Sequence, residues 1–512
     1  MSSLAGAASE AGTAAYASQH LALSYQELDR TGWQVSQAGF GCYRVHVRVE
    51  SHHQALRRAL LRGINLIDTS TNYGDGGAEQ LVGQILVELV ASGQVARQQI
   101  VVVSKAGYLQ GENYRLSQER KAAGRPFPDL VEYADGLEHC LHPIFLADQL
   151  DRSLDRLQLE TLDVLLLHNP EYYLNWAHRA GLPQDEARQE YERRLALAFA
   201  HLEVEVAEGR IQYYGVSSNT FPAPVADPAF TPLTRLWTLA QELSTDHHFR
   251  VIQLPMNLLE TGAATEPNQP EGQTALAVAR QKQLGVLINR PLKAIQGDQL
   301  RRLAQPPVAE AVSDEQVSTA VDTLVAAEDR FFAQIHPRLR LDQAMQQRAG
   351  QSFTAGQILQ DRWAGFGDFF NWREVLAHYL LPRAQTAVDL LSDRPNLPAE
   401  AAAWLETYVA ALNQAFDRLS AFYARRSAAQ AEAIAQRAVA ADAEWRAPTL
   451  SQTAVRALRS TAGVSSVLVG MRRDSYVDDV LAELQRPLAQ RPRTDSWRAL
   501  HSAGAEPDVA QA

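Results

Sequence analysis

Eight short apolar runs, each followed by a segment of helical periodicity, limit the folds open to this chain. The runs are rich in β-branched residues and bounded by turn-forming residues, so we interpret them as strands. The intervening segments read as helices; in SHHQALRRALLRG, Ser51 is placed to cap and Gly63 to end the helix. The predicted strands are GFGCYRV from Gly39, INLID from Ile64, IVVVSK from Ile100, LDVLLLH from Leu162, IQYYGVSS from Ile211, VIQLPMN from Val251, GVLINRPL from Gly285 and SSVLVGM from Ser465.

Regular alternation of strands and helices is typical of a parallel sheet, and eight such units predict a (β/α)8 TIM barrel. An open doubly wound sheet should carry a glycine-rich phosphate turn early on, and NYGDGG does not fit the GxGxxG pattern. A barrel of this kind takes about 250 residues, whereas the chain has 512. We therefore predict a flexible amino-terminal tail (1–20), a barrel (21–295 and 449–487), a helical insertion after the seventh strand (296–448) and a carboxy-terminal tail (488–512).

The predicted insertion contains a long amphipathic helix. Its apolar stripe follows steps of three and four residues, through Trp404, Tyr408, Leu412, Phe416, Leu419 and Tyr423. The aromatic stretch RWAGFGDFFNW, residues 362–372, precedes this helix. Three interpretations stay open: a lid whose aromatics line the barrel mouth, a helical unit with a core of its own, or an interface between subunits.

Composition excludes several classes of partner. The net charge is −11, and no run of Lys and Arg is dense enough to follow a phosphate backbone, so we expect no nucleic-acid binding. The two cysteines, Cys42 and Cys140, cannot build a disulfide framework, which fits a reducing cytoplasm. The first twenty residues lack the features of a signal peptide, and no apolar stretch reaches membrane-spanning length. We therefore expect a soluble, cytoplasmic protein that does not act at a membrane.

One group of residues raises the question of a metal site. His139 and His142 lie close to Cys140 in the sequence, and all three side chains are potential metal ligands. A structural metal site usually needs a second cluster at a characteristic spacing, and no second cluster accompanies this one. We therefore predict no bound metal.

Polar residues stand at the carboxyl ends of the predicted strands, where parallel barrels place their active sites. Strand two ends at Asp68, strand three at Lys105 and strand four at His168, and Tyr73 follows Asp68 in a glycine-rich loop. Each of these residues alone would have an ordinary structural explanation. Their joint occurrence at neighbouring strand ends favours a catalytic site.

These four side chains can deliver a proton together. Reduction of a carbonyl requires a proton at the oxygen, and a tyrosine with an ordinary pKa of about 10 is a poor donor. An ammonium near the phenol favours the tyrosinate and so makes the phenol a better acid. Lys105 can supply that charge, Asp68 can orient Lys105, and His168 can donate to the substrate oxygen.

At these residues the sequence resembles the aldo-keto reductase superfamily. The matching stretches are GINLIDTSTNYGDGGAEQLVGQIL, VVVSKAG, LADQLDRSLDRLQLETLDVLLLHNPE, GRIQYYGVSSNTF, VIQLPMN, NRPL and SSVLVGMRRDSYVDDVL, in the family's order. They cover about 23–295 and 449–487. The resemblance implies a (β/α)8 barrel that uses NADPH, less often NADH, with Asp68, Tyr73, Lys105 and His168 as the catalytic tetrad and Tyr73 as general acid.

The resemblance also assigns residues to the nicotinamide end of the cofactor, and these are Ser217, Ser218, Asn219, Gln253, Asn289 and Arg290. The family's Ser-Asn pair reads Ser217-Ser218 here with Asn219 next, which leaves open which side chain meets the carboxamide. Gln253 matches the family's glutamine on strand six. The aromatic residue that commonly stacks on the nicotinamide falls near Asn289, so this stacking is absent or supplied from elsewhere.

After strand eight, GMRRDSYVDDV lies where the family binds the adenine end of its cofactor. The resemblance places Gly470, Arg472, Arg473 and Asp479 there. A guanidinium matches the geometry of a 2'-phosphate, which favours NADPH. Tyr476 occupies a position where many members have a further basic residue.

From the sequence we therefore expect an NADP(H)-dependent reductase of an aldehyde or ketone, or a dehydrogenase of the corresponding alcohol. One alternative is a cofactor-binding regulatory or scaffold protein that binds a partner through the insertion. Another is a lyase or isomerase in which Lys105 forms a Schiff base. The oligomeric state stays open.

Overall fold

Eight parallel strands form a closed barrel in the computed structural model, which describes residues 3–296, 299–339, 341–394 and 396–504. The strands are β1 (Tyr25–Glu27), β2 (Gln34–Ser36), β3 (Ala38–Gly41), β4 (Leu66–Asp68), β5 (Val101–Ala106), β6 (Tyr108–Leu109), β7 (Val131–Ala134), β8 (Leu137–His139), β9 (Leu162–His168), β10 (Ile211–Ser217), β11 (Phe249–Pro255), β12 (Gly285–Asn289), β13 (Lys293–Gln296), β14 (Gln299–Arg302) and β15 (Ser466–Val469). The barrel order is β3, β4, β5, β9, β10, β11, β12 and β15, closed by pairing of β15 with β3. Each predicted strand overlaps one of these, so the (β/α)8 barrel is confirmed.

Helices follow the barrel strands and fill the long segment between β12 and β15. They are α1 (Glu10–Gln19), α2 (Glu50–Leu61), α3 (Gly77–Ala91), α4 (Gly111–Ala122), α5 (Pro143–Leu157), α6 (Tyr172–Arg179), α7 (Gln184–Ala207), α8 (Leu233–Leu243), α9 (Gly262–Thr265), α10 (Ala275–Gln281), α11 (Asp314–Arg330), α12 (Gln343–Ser352), α13 (Ala355–Arg362), α14 (Phe369–Val375), α15 (Leu381–Ser392), α16 (Ala399–Ala441), α17 (Leu450–Arg459), α18 (Asp474–Leu484) and α19 (Thr494–Gly504). Within the described residues, none of these helices combines the length and the apolar character needed to cross a bilayer.

The barrel strands are buried on both faces, as expected where helices surround a parallel sheet. Every residue of β9, LDVLLLH, is buried, and the same holds for β5 and β11. The few polar residues in these otherwise apolar strands are therefore buried as well. They include Lys105 on β5, His168 on β9 and Gln253 on β11.

The amino-terminal segment is ordered and covers one end of the barrel. We expect a flexible tail over residues 1–20, but α1 forms there, capped by Ser9, and the hydroxyl of the buried Tyr16 donates to the carbonyl of Leu60. The interior core of the barrel also includes side chains from this region, among them Ala8, Leu28, Trp33 and Val35. The flexible-tail prediction was wrong because composition alone does not reveal where an aromatic side chain is buried.

The carboxy-terminal region also differs from expectation. Within residues 488–512, predicted as a tail, α19 forms over Thr494–Gly504. Trp497 is fully buried, and its indole N–H donates to the hydroxyl of Thr461 over 2.9 Å. Burial of this large ring accounts for the order of the segment.

Residues Ala304–Gln436 form a second compact unit, which lies inside the predicted insertion 296–448. All six members of the apolar stripe on α16 are buried within this unit's core. Phe369 and Trp372, from the aromatic stretch 362–372, belong to the same core, and the Trp372 indole donates to Ser420 over 2.9 Å. Among the three interpretations of the insertion, these contacts favour a helical unit with its own core.

Candidate active site

Lys105 lies between Asp68 and Tyr73 at the carboxyl ends of β4 and β5. Its ammonium donates to the Asp68 carboxylate over 2.8 Å and to the carbonyl of Thr69 over 2.7 Å. The Tyr73 hydroxyl is 3.4 Å from the same nitrogen. The side chain of Lys105 is fully buried, so this charge is stabilised by the three oxygen atoms around it.

The loop between β4 and α3 turns sharply to place Tyr73. Gly74, Asp75 and Gly76 all adopt positive φ angles, of 56°, 54° and 83°. Glycine tolerates this left-handed region without strain, and aspartate is among the residues that enter it most easily. The edge of the Tyr73 ring packs against Tyr43, with ring centroids 5.4 Å apart.

His168 completes the group at the end of β9. Its ring is perpendicular to that of Tyr73, with centroids 6.1 Å apart. The Nδ1 atom shares a hydrogen bond of 3.1 Å with the hydroxyl of Ser70, which fixes the orientation of the imidazole. The structure thus brings the four predicted catalytic side chains together at the carboxyl end of the barrel.

Burial and the charge of Lys105 determine the protonation of this group. Burial opposes the charge of Lys105, but the neighbouring Asp68 carboxylate raises the pKa of the ammonium above its ordinary value. Burial raises the pKa of Tyr73 and outweighs the lowering effect of Lys105, so the phenol is protonated at neutral pH. Burial and the nearby Lys105 hold the pKa of His168 well below its ordinary value, so the imidazole is neutral.

Gln253 connects the tetrad to two of the predicted nicotinamide-binding residues. Its amide nitrogen donates to Asp68 Oδ1 over 2.7 Å. Its amide oxygen accepts hydrogen bonds from Ser217 Oγ and Asn289 Nδ2, each over 3.3 Å. The structure therefore brings Gln253, Ser217 and Asn289 together directly beside the ion pair.

Ser218 and Asn219 have other partners. The Ser218 hydroxyl donates to Thr231 over 3.2 Å, and the backbone N–H of Asn219 donates to Glu171 over 2.8 Å. Glu171 is buried, and burial raises the pKa of its carboxyl to about 7. These bonds fix the backbone of the segment after β10 beside Ser217.

Arg290, at the end of β12, is held by an ion pair. Its guanidinium lies 3.0 Å from the Glu260 carboxylate, and its backbone has a φ of 53°. The carbonyl of Arg290 also accepts a hydrogen bond from Asn257 over 3.2 Å. This pairing orients the turn that follows β12.

The four residues predicted at the adenine end lie between β15 and α18. A Cβ atom added to Gly470 would meet no atom within 4 Å, so its backbone faces open space. Arg472 is half-buried, and Arg473 is exposed directly before α18. The Asp479 carboxylate accepts hydrogen bonds from Ser451 over 2.7 Å and Gln452 over 2.9 Å, which joins α18 to α17. A contact of Asp479 with a cofactor stays a prediction.

Several residues contact the tetrad, and among them Tyr43, Ser70 and His139 were not identified as such from the sequence, whereas Tyr108 was considered as a pocket residue. Tyr43 packs on Tyr73, and Ser70 holds His168. Tyr108 packs on the His168 ring with centroids 4.7 Å apart, and His139 Nε2 binds the His168 carbonyl over 2.7 Å. Ser70 and Tyr43 follow the ends of predicted strands, and that position is a signal that could have identified them. The contact of His139 with His168 joins residues that are distant in the sequence, so no local signal indicates it.

His139 contacts a backbone carbonyl beside the tetrad. Its bond to the His168 carbonyl uses one ring nitrogen, while the thiol of Cys140 donates to the carbonyl of Pro128. Across the described residues, no group of three or more His, Cys, Asp or Glu side chains is arranged to hold a metal ion.

Comparison with known proteins gives a consistent family. Residues 38–292 match the model of the aldo/keto reductase family. The chain is 31% identical over 170 residues to L-galactose dehydrogenase of Arabidopsis thaliana, covering 32% of this chain and 50% of that protein. It is 28% identical over 121 residues to an aldo-keto reductase of Alternaria alternata, covering 23% of this chain and 32% of that protein. The chain thus spans half or less of the length of both relatives.

The chain is also similar to solved structures. A glycerol dehydrogenase of Gluconobacter oxydans aligns with 96% of this chain and 98% of its own, at 13% identity and a TM-score of 0.44.

Proposed function

Since the chain belongs to the aldo-keto reductase superfamily, we propose that it is an oxidoreductase that reduces an aldehyde or ketone with NADPH, or oxidises the alcohol in the reverse direction. The observation that carries this proposal is the position of Lys105, whose ammonium contacts both Asp68 and the hydroxyl of Tyr73 in a buried site. A buried ammonium beside a phenol is suited to proton transfer and has no evident structural purpose.

The residues present fit a nicotinamide cofactor. Asn289 has a buried side-chain oxygen with no partner among the described residues, and it lies beside Gln253 and Ser217. These three side chains offer the donors and acceptors that a carboxamide needs. At the other end, the open space at Gly470 permits close approach of a ligand to the backbone. When bound beside Gln253, Ser217 and Asn289, the dihydronicotinamide would supply a hydride to the carbonyl carbon.

In this proposal Tyr73 donates its phenolic proton to the substrate oxygen as negative charge develops on it. Lys105 stabilises the tyrosinate that results, because the ammonium is only 3.4 Å from the phenolic oxygen. Asp68 holds Lys105 in position through the 2.8 Å ion pair. His168 is neutral, so it can donate a hydrogen bond to the substrate oxygen without adding a second positive charge.

The Schiff-base alternative is less well supported. A Schiff-base lysine must be a free amine, whereas the Asp68 carboxylate raises the pKa of Lys105 and keeps it protonated. Its three hydrogen-bond directions are taken by Asp68, Thr69 and Tyr73. The scaffold alternative leaves this proton-delivery group without a purpose.

The proposal is tested by titrating the protein with NADPH and with NADH, followed by cofactor fluorescence. A screen of aldehydes and ketones for cofactor oxidation then identifies the substrate class. We expect binding of NADPH at micromolar concentration and turnover of at least one carbonyl class. Failure of both cofactors to bind would contradict the proposal.

A further inference from the structure

A cluster of positively charged and hydrogen-bond-donating side chains lies at the amino-terminal end of β11, away from the carboxyl strand ends that carry the tetrad. We call it the basic cluster, and it consists of Arg30, Trp237, His247, Arg250 and Lys282. The guanidinium carbon of Arg30 and the ammonium of Lys282 each lie 5.6 Å from the centre of the Trp237 ring. The His247 ring packs edge-on against Trp237 at 4.8 Å, and Arg250 Nη1 is 3.5 Å from His247 Nδ1. Two cationic groups therefore lie against one indole, and a third, that of Arg250, lies beside the histidine that packs on it.

Two buried donors of this cluster have no acceptor. The indole N–H of Trp237 and the Nε–H of Arg250 are both buried, and neither has a hydrogen-bond partner among the described residues. Both side chains are more than nine-tenths buried, with exposed fractions of 7% and 9%. A buried donor left unpaired costs about 1–3 kcal/mol, so two in one cluster indicate an acceptor that the chain itself does not provide.

The positive charges of the basic cluster also lack a counterion. In the part of the chain that the structure describes, none of Arg30, Arg250 and Lys282 forms an ion pair with a carboxylate. Burial is the main reason that the pKa values of Arg250 and His247 are lowered, and the positive charge of Arg30 lowers both further. The chain as a whole carries a net charge of −11, so a concentration of unpaired cations is not a consequence of its composition.

Two acidic groups close to the basic cluster in the fold or in the chain have other partners. The Glu203 carboxylate acts electrostatically on Arg250, but it already accepts hydrogen bonds from Tyr214 over 2.8 Å and from the backbone and ring of His248 over 2.7 and 2.8 Å. The carboxylate of Asp29, next to Arg30 in the chain, accepts from the hydroxyl of Ser465 over 3.4 Å. Neither carboxylate neutralises the basic cluster.

We propose that the basic cluster binds a phosphate group, as a site separate from the active site. A phosphate offers several acceptor oxygens and up to two negative charges, which matches two unpaired N–H donors flanked by the cations of Arg30 and Lys282. Arg250 and Trp237 contribute directed hydrogen bonds from buried positions. Arg30, which is exposed, and Lys282, which is half-buried, give the ligand access from solvent.

The proposal is tested by isothermal titration calorimetry of the full chain with inorganic phosphate and, separately, with glycerol 3-phosphate. Two variants probe the cluster from different sides: Trp237→Phe removes the indole N–H but keeps an aromatic ring, and Lys282→Gln removes a charge at the surface. The control is Arg280→Gln, an exposed position on α10 two residues from Lys282. Far-ultraviolet circular dichroism verifies that each variant is folded.

We expect each cluster variant to weaken phosphate binding about tenfold, as loss of one charge-assisted hydrogen bond predicts, and the control to bind like the original protein. Tighter binding of glycerol 3-phosphate assigns the site to a phosphorylated metabolite, and equal or weaker binding assigns it to free phosphate. The proposal is overturned if neither compound binds, or if both cluster variants bind as tightly as the control. Phosphate bound at the adenine end of the cofactor site would not respond to these substitutions, so the two sites are distinguished.

Discussion

The side-chain amide of Gln253 donates a hydrogen bond of 2.7 Å to the Asp68 carboxylate, joining strands β11 and β4 across the barrel. The opposite end of the same amide accepts from Ser217 and Asn289. Gln253 is thus the connection between the residues proposed to hold the nicotinamide and those proposed to transfer the proton. Its family resemblance indicates only the first of these roles.

Replacement of Gln253 by leucine is expected to impair both roles at once. The substitution removes the amide donor to Asp68 Oδ1, which then keeps only the Lys105 ammonium at 2.8 Å. Loss of a hydrogen bond to a charged group typically costs about 1.5–3 kcal/mol. We expect weaker NADPH binding by fluorescence titration and a lower kcat in the same variant. Gln281→Leu, at an exposed position of α10, is the control. An altered Kd with an unchanged kcat would limit Gln253 to cofactor binding.

The hydroxyl of Tyr73 is expected to be essential for turnover but not for cofactor binding. Tyr73→Phe keeps the ring that packs on Tyr43 and removes only the proposed proton donor. Since general acid catalysis contributes about 10²–10⁴-fold, kcat for carbonyl reduction should fall by at least about a hundredfold. Fluorescence titration should give the same Kd for NADPH as in the original protein. Full turnover by this variant would show that another group delivers the proton.

The buried ion pair of Asp68 and Lys105 should be tested for stability with a double-mutant cycle. Lys105→Met leaves the Asp68 carboxylate buried without its cation, which typically costs about 3–5 kcal/mol. Adding Asp68→Asn removes the stranded charge, so the double variant should unfold at a higher urea concentration than Lys105→Met alone. Urea unfolding is followed by tryptophan fluorescence. If the losses in unfolding free energy of the two single variants add up to the loss in the double variant, the two side chains are energetically independent.

Acidification should destabilise the protein through its buried histidines. Burial lowers the pKa of His139 to about 4, against about 6.5 in an unfolded chain. The unfolded state therefore binds the proton first as the pH falls below 6.5, so the stability is complete above that pH and is lost progressively down to about pH 4. The shift corresponds to about 3 kcal/mol for this one fully buried residue.

The contribution of His139 can be isolated by substitution. In His139→Gln the slope of unfolding free energy against pH between 6.5 and 4 should be smaller than in the original protein, because one proton-binding group of the unfolded state is gone. His178→Gln, at an exposed position on α6, serves as the control. An identical slope in His139→Gln would place the acid sensitivity in other groups.

Arg473 is expected to distinguish the two nicotinamide cofactors. Its exposed guanidinium can pair with a 2'-phosphate, which NADPH carries and NADH lacks. Arg473→Gln should weaken NADPH binding by about tenfold or more and leave NADH binding unchanged, as measured by fluorescence titration. The exposed Arg498, substituted in the same way, is the control. Equal weakening of both cofactors would exclude a 2'-phosphate contact.

The barrel and the proximity of Asp68, Tyr73, Lys105 and His168 could be predicted, because the position of each residue relative to a strand end can be read from local sequence. Asp68, Lys105 and His168 interrupt apolar strands at their carboxyl ends, and parallel strands bring those ends together in any closed barrel. The residues that contact them could not be predicted in the same way. The contacts of Gln253 with Asp68 and of His139 with His168 join positions 185 and 29 residues apart, and no local pattern encodes such pairings.

Burial of single side chains explains the other differences. Tyr16 and Trp497 tie down segments that have the composition of tails. The basic cluster could not be predicted from the sequence either. Arg30, Trp237 and Arg250 come from three separate segments, and none of them forms a motif with its sequence neighbours. Each of these features depends on tertiary contacts rather than on periodicity.

The residues that precede the family match are needed for the barrel to fold as a fragment. The match begins at residue 38, yet Leu28, Trp33 and Val35 fill the interior of the barrel from its amino-terminal end. Ala8 also donates its backbone N–H to the buried carboxylate of Asp163 over 2.7 Å. A fragment limited to the matched residues would lose these side chains from the amino-terminal end of the barrel. The aliphatic side chains inside the barrel would then be exposed to water. Shortened versions of this protein should therefore begin well before the first barrel strand.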